Sequence, residues 1–260
     1  MNFRRAVVAG TFVLLAAVAA SAAAARADEP YSVTGRDVFR VGNGEVHSET
    51  VYHGVQRLSI AHSSSGTTYA ARVEYDKDGD GGKQHATASY TSTLLPSGEL
   101  RDGPSRDPDY LTVLNQPFAV QLDKPTMRDL NHVKRPVPFD FPSPMTGAPL
   151  RGTLRRLPDA VVAGVRAMGI AFEATGPLHG ALPERPAMAL AGTIKMKGTA
   201  YYAYETALLV SLEATLAIEG NIDDSARRAP VSIVFARSIR AGTGQQAGGS
   251  PAPRQAEKQH

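Results

Sequence analysis

The chain has 260 residues, 42% of them hydrophobic, with 28 basic against 25 acidic side chains and no cysteine or tryptophan. Zero cysteine excludes disulfides, thiolate catalysis and cysteine-ligated metals. Near balance of charge gives no basic surplus of the kind a nucleic-acid partner requires.

Residues 1–27 read as a signal peptide. Arg4 and Arg5 precede an apolar run from Phe12 to Ala20, and Ala25-Arg26-Ala27 supplies a small-x-small cleavage pattern. The run is mostly alanine, which drives membrane insertion less than leucine would, so cleavage is expected rather than anchoring. Removing Arg4, Arg5 and Arg26 from the 28 basic residues leaves 25, equal to the acidic count. The expected product is a neutral, soluble chain exported to the periplasm or the cell exterior. Residues 28–240 are long enough for a single β-rich domain with one large core. Residues 241–260, rich in Gly, Gln, Ala and Pro, have too little to bury and are expected to be a disordered tail.

Tyr31 to Val41 reads as a first strand, closed by the turn residues Gly42-Asn43-Gly44. Val46 to His62 is a longer one, with Tyr52, Leu58 and Ile60 on one face and Val51, His53, Val55 and Arg57 on the other. From Thr67 to Tyr75 an apolar row of Tyr69, Ala71, Val73 and Tyr75 faces away from Arg72 and Glu74. It enters a loop at Asp76–Gly82 and returns as a strand over Gln84–Leu95, a hairpin. Pro96–Pro108 is loop, and Leu111–Leu114 and Pro117–Leu122 are expected to be extended. A short helix fits Lys124–Val133, with Pro125 in its first turn and Met127 and Leu130 on one face.

Five prolines between Pro136 and Pro149 exclude that segment from the inside of a sheet, because each removes a ladder donor. Its Phe139, Phe141 and Met145 suit a chain lying across a hydrophobic surface. Leu150–Leu157 reads as a strand, and Met168, Ile170, Phe172 and Ala174 mark another. Over 159–167 a helix is the competing reading, since Leu157, Val161, Val162, Val165 and Met168 would form a stripe. Gly176-Pro177 and Pro183–Pro186 read as punctuation before a meander of three alternating rows. These are Met188, Leu190, Ile194, Met196; then Leu208, Val210, Leu212, Ala214, Leu216, Ile218; then Val231, Ile233, Phe235, Ile239. The expected fold is mainly all-β: one antiparallel, strongly curved sheet of about ten strands, a barrel or half-barrel, with one short helix. A β-sandwich is the alternative.

For chemistry, Asp76-x-Asp78-x-Asp80-Gly81 matches the first half of a calcium loop, although the twelfth position is Thr87 and strands flank it. Calcium is the one cofactor these residues suggest. The histidines are scattered; His47 and His53 share a strand parity but stand roughly 20 Å apart, too far for one metal. No G-x-S-x-G or H-E-x-x-H motif occurs, so an enzyme is not expected. Tyr202 and Tyr204 share a strand face and, with Phe139, Phe141 and Met145, are the candidates for lining a ligand groove. These features suggest an exported non-enzymatic β-protein that binds or carries a hydrophobic small molecule or lipid. The alternative is a structural or protein-interaction module of the cell envelope.

Overall fold

The computed structural model describes residues 29–42, 45–96, 100–103, 106–107, 109, 124–143, 149–182, 185–223 and 228–242. The expected signal peptide, the extended segments at 111–122, Met145 and nearly all of the expected tail lie outside the described residues.

The strands are β1 (Glu29–Val41), β2 (Glu45–Ser63), β3 (Gly66–Gly79), β4 (Gly82–Leu94) and β5 (Leu100–Asp102). After helix α1 (Lys124–Asn131) come β6 (Val137–Pro142), β7 (Pro149–Arg156), β8 (Ala160–Val162), β9 (Val165–Leu182), β10 (Arg185–Ala203), β11 (Leu209–Asp223) and β12 (Arg228–Ala241). They form one antiparallel sheet in the order β5-β4-β3-β2-β1-β12-β11-β10-β9-β7-β6, with β8 folded against β9. The chain runs outward by hairpins from both sides of its centre, where β1 pairs with β12 from Tyr31↔Ala241 to Val41↔Val231. Among the described residues β5 and β6 are unpaired edges, so the single curved sheet is open.

Register sorts the side chains onto two faces. Odd residues of β1 lie opposite odd residues of β12 and even residues of β2, and the pairing carries that parity outward to β4 and β6. One face therefore collects Val33, Leu58, Val73, Phe172, Ile194, Met196, Leu212, Leu216 and Ile218, all at most 3% exposed. The other carries Arg36, Glu49, Arg72, Glu74, Lys195, Glu219 and Arg240, with exposed cross-strand ion pairs Arg36–Glu49, Lys195–Glu219 and Arg240–Glu213. The buried face is one core to which α1 adds Met127. Among the described residues this one sheet, with α1, supplies the side chains that bury that face.

Glycines on that inner face permit the roll. A Cβ at Gly152, Gly192, Gly198 or Gly220 would stand 2.2–2.3 Å from a carbonyl oxygen of the neighbouring strand. Only a bare Cα allows such an approach, and it marks the lines along which the sheet bends.

Five local expectations are corrected, the first being the Pro96–Pro108 loop, inside which β5 pairs with β4 from Ser92↔Asp102 to Leu94↔Leu100. The proline-rich segment does enter the sheet: β6 pairs with β7 from Val137↔Leu154 to Pro142↔Pro149. It is an edge, where a missing N–H can face away from the ladder. Gly176-Pro177 does not break the chain either, because β9 runs through it. β7 covers β9 only as far as Thr175, so Pro177 pairs with β10 alone and its other side requires no donor. The helix alternative over 159–167 gives way to a β8–β9 hairpin turning at Ala163 (φ 49°) and Gly164 (φ 78°). The Asp76–Gly82 loop shrinks to a turn at Asp80-Gly81, since β3 and β4 pair as far as Gly79↔Gly82.

Candidate functional site

Among the described residues, two clusters of charged and tyrosine side chains stand against the apolar interior, where Gln56 and Ser92 are also buried. The first lies at the centre of the inner face, where β1, β12, β2 and β3 meet. Gly35 on β1 is opposite Arg237 on β12, and Tyr52 on β2 is opposite Gly35 on the other side. The Arg237 side chain is fully buried. It donates to both oxygens of the Asp37 carboxylate two residues along β1, and to the backbone carbonyls of Ala236 at 3.0 Å and Asp109 at 3.2 Å. Its guanidinium also lies over the rings of Tyr52 and Phe235, 5.1 and 5.8 Å from their centroids. Arg237 Nε is buried without a hydrogen-bond partner.

The network extends to β3. Tyr75 donates its hydroxyl to the Asp109 carboxylate, and Lys77 Nζ reaches both oxygens of the same group at 2.9 and 3.0 Å. The rings of Tyr52 and Tyr75 stand 6.0 Å apart. Burial is the first cause of each shift here. It raises the Asp37 carboxyl above the usual carboxylate range, against the pull of Arg237. It likewise raises the Tyr52 and Tyr75 phenols, assisted by the carboxylates of Asp37 and Asp109, so both remain hydrogen-bond donors at neutral pH.

The second cluster closes one end of the roll. Arg156 at the end of β7 donates to Asp159, to Asn131 Oδ1 at 3.0 Å and to the Tyr204 hydroxyl at 2.8 Å. Tyr204 in turn donates to Asp159 at 2.7 Å or to Asn131 at 3.1 Å. Arg166 adds a bond to Asp159 at 3.1 Å and stacks over the Tyr204 ring. Asn131 ends α1, so the cluster ties the helix to the sheet while Met127 enters the core.

The expected site residues divide. Tyr202 lies on the inner face, 2% exposed. Tyr204 lies just past the end of β10 at Ala203, partly buried against the same core, and its hydroxyl belongs to the clamp on α1. Phe139 has inner-face parity on edge strand β6 and is 44% exposed. Phe141 also lies on β6. Asp76 and Asp78 sit on the outer face of β3, paired with His85 and Lys83, and Asp80 is in the turn. An extended strand holds alternate carboxylates almost 7 Å apart rather than wrapping them around one ion. Among the described residues no three metal-binding side chains are grouped.

Asp37, Tyr52, Tyr75, Lys77, Asp109 and Arg237 were not among the candidates, although parity signals three of them. Asp37 falls in the row of Tyr31 and Val33, Arg237 in that of Val231, Ile233, Phe235 and Ile239, and Lys77 ends that of Tyr69 to Tyr75. A charge on an apolar parity is the mark of a buried ionic group.

No protein-family model matches the chain, and no curated protein does. Among solved structures it is similar to lipovitellin, described under lipid–protein interactions, with a TM-score of 0.38 and 12% identity. That match covers 88% of this chain and 26% of lipovitellin. It is also similar to the binding domain of botulinum neurotoxin serotype C1, with a TM-score of 0.13 and 5% identity over 82% of this chain and 79% of that one. At these scores the likenesses bear no argument about function.

Proposed function

We propose that this chain is an exported, non-enzymatic β-protein that binds or carries a hydrophobic small molecule or lipid on the inner face of its rolled sheet. One observation supports this reading above the others: a single apolar face is shared by strands from β4 to β7 on a sheet whose edges, β5 and β6, do not pair among the described residues. On the edge strand β6 Phe139 is 44% exposed, and the same face carries the buried Phe172, Met196 and Leu216. Aromatic and methionine side chains suit an adaptable apolar site. Export rests on the leader-like residues 1–27 alone.

A second reading has its own observation. Val73, Ile194, Leu212 and Ile218 are already 0% exposed, so protein atoms cover them. A permanently filled interior suits a structural or interaction module of the envelope. Native mass spectrometry of residues 28–260, purified from an exporting host, separates the two when combined with titration by a fluorescent acyl probe. A bound mass in the lipid range, or saturable uptake of one probe per chain, is the result expected of a carrier. A bare chain that takes up no probe rejects the carrier in favour of the module.

A further inference from the structure

The Asp109 carboxylate belongs to no strand, yet donors built into the sheet converge on it. Tyr75 and Lys77 are held by the β2–β3–β4 ladder, and Arg237, on β12, reaches the Asp109 main chain. Tyr75 is 1% exposed, and the Lys77 side chain is 25% exposed. An ammonium and a phenol at the edge of an apolar interior together suit an anionic acceptor. Arg237 is already neutralised by Asp37, so the charge left for a mobile anion is that of Lys77.

We infer that Tyr75, Lys77 and the adjoining Arg237 form a receptor for the carboxylate of a long-chain fatty-acid-type anion, and that Asp109 occupies this receptor when no ligand is bound. The inference rests on the carrier reading and specifies its ligand class. The inner row of β3 runs Lys77, Tyr75, Val73, Ala71, Tyr69, a charged head position followed by apolar ones over about 26 Å at strand rise. An amphiphile lying along it has its carboxylate at Lys77 and its chain toward Tyr69, Leu58 and Ile60. Ligand binding then exchanges one carboxylate for another at the same donors, and release of Asp109 accompanies uptake.

The test compares palmitate with hexadecanol, a neutral chain of the same length, on residues 28–260 and on the Asp109→Asn and Lys77→Gln variants, with a thermal melt of each. The intact chain is expected to prefer palmitate. Asp109→Asn removes the competing charge and should tighten palmitate by about tenfold while leaving hexadecanol unchanged. Lys77→Gln should abolish the preference. Equal binding of both probes, unmoved by either variant, overturns the carboxylate receptor and leaves the carrier standing. If Asp109→Asn does not fold, Lys77→Gln decides alone. Butyrate, a head with almost no tail, separates the remaining case by NMR on the best-folded chain. Shifts at Tyr75 and Lys77 without palmitate uptake retain the receptor and reject the carrier, and no shift with no uptake rejects both.

Discussion

Gly35 and Arg237 face each other across the β1–β12 pair, and the absent side chain of the first makes room for the second. A Cβ at Gly35 would lie 3.1 Å from both Arg237 Cδ and Nη1 and 3.3 Å from Tyr52. Arg237 has little freedom to withdraw, because Asp37 holds it on one side and the Asp109 carbonyl on the other. Gly35→Ala is therefore expected to destabilise by about 1–3 kcal/mol, the usual cost of overpacking. Urea unfolding gives the value; a loss below about 0.5 kcal/mol at unchanged m would show that Arg237 yields.

The Asp37–Arg237 pair is expected to act as a unit. Arg237→Met leaves the Asp37 carboxylate buried without its cation, a loss of about 3–5 kcal/mol, whereas Asp37→Asn with Arg237→Met removes both charges and should cost less than the two single changes added together. The sign of the pH dependence follows from the raised Asp37. Its folded form holds a proton more readily than the unfolded chain, so its contribution worsens as pH rises from the ordinary value of 3.8 through the raised one. Without Arg237 the rise is larger. The single variant should therefore melt higher at pH 4 than at pH 7 relative to the intact chain, and melting curves that shift in parallel at both pH values would count against it.

Two glycines test the origin of the roll. At Gly192 a Cβ would meet Glu219 O at 2.3 Å and Gly220 Cα at 2.6 Å, both backbone atoms, whereas at Gly180 nothing lies within 4 Å. Gly192→Ala should cost about 3 kcal/mol or more, since strands rather than a side chain must move. Gly180→Ala should be neutral or stabilise by about 0.5 kcal/mol through the unfolded state. Comparable midpoints for the two variants in denaturant would mean that the bend does not depend on the bare Cα.

Parity made most of this architecture legible. The rows Leu212–Ile218 and Ile233–Ile239 are half-buried strands by their own alternation, and the buried face is the one they give. What failed was neighbourhood. Whether Pro138, Pro142 or Pro177 can sit in a strand depends on which side of that strand is paired, and pairing is a property of the sheet. The same holds for the acidic hairpin: Asp76-x-Asp78-x-Asp80 is composed like a metal loop, but the ladder between β3 and β4 continues through the first two and keeps them apart. The ionic centre was legible in part, because Asp37, Lys77 and Arg237 each break an apolar row. That they meet follows from registers between residues as far apart as 37 and 237, which no local pattern encodes.

The β8–β9 turn contains a correctable strain. Val162 and Val165 close a two-residue hairpin in which Ala163 adopts φ 49° and Gly164 φ 78°. Both central residues of a type I′ turn need positive φ, where a Cβ is disfavoured and Asn or Gly is preferred. Ala163→Asn or Ala163→Gly should stabilise by about 1 kcal/mol, a rise of a few degrees in Tm for a domain of this size. Ala163→Val should move Tm the other way. An unchanged Tm in all three would indicate that the hairpin contributes nothing to the cooperative unit.

The clamp on α1 should respond to acid. The Tyr204 hydroxyl, and after it the Arg156 guanidinium, hold the Asp159 carboxyl at about 2, below its ordinary value of 3.8. A depressed carboxyl contributes stability that is present above the unfolded value and lost as pH falls through the folded one, so the window runs from about pH 4 down to about pH 2. Asp159 is still 32% exposed, and screening by solvent reduces the contribution to about 1 kcal/mol. Asp159→Asn should lower Tm at pH 5–7 and the deficit should vanish near pH 2. Because Asn131 is bound by Arg156, hydrogen exchange of the α1 amides should quicken in the variant while those of β11 do not change. A deficit that persists undiminished at pH 2 would assign the loss to altered packing around Tyr204 rather than to the charge on Asp159.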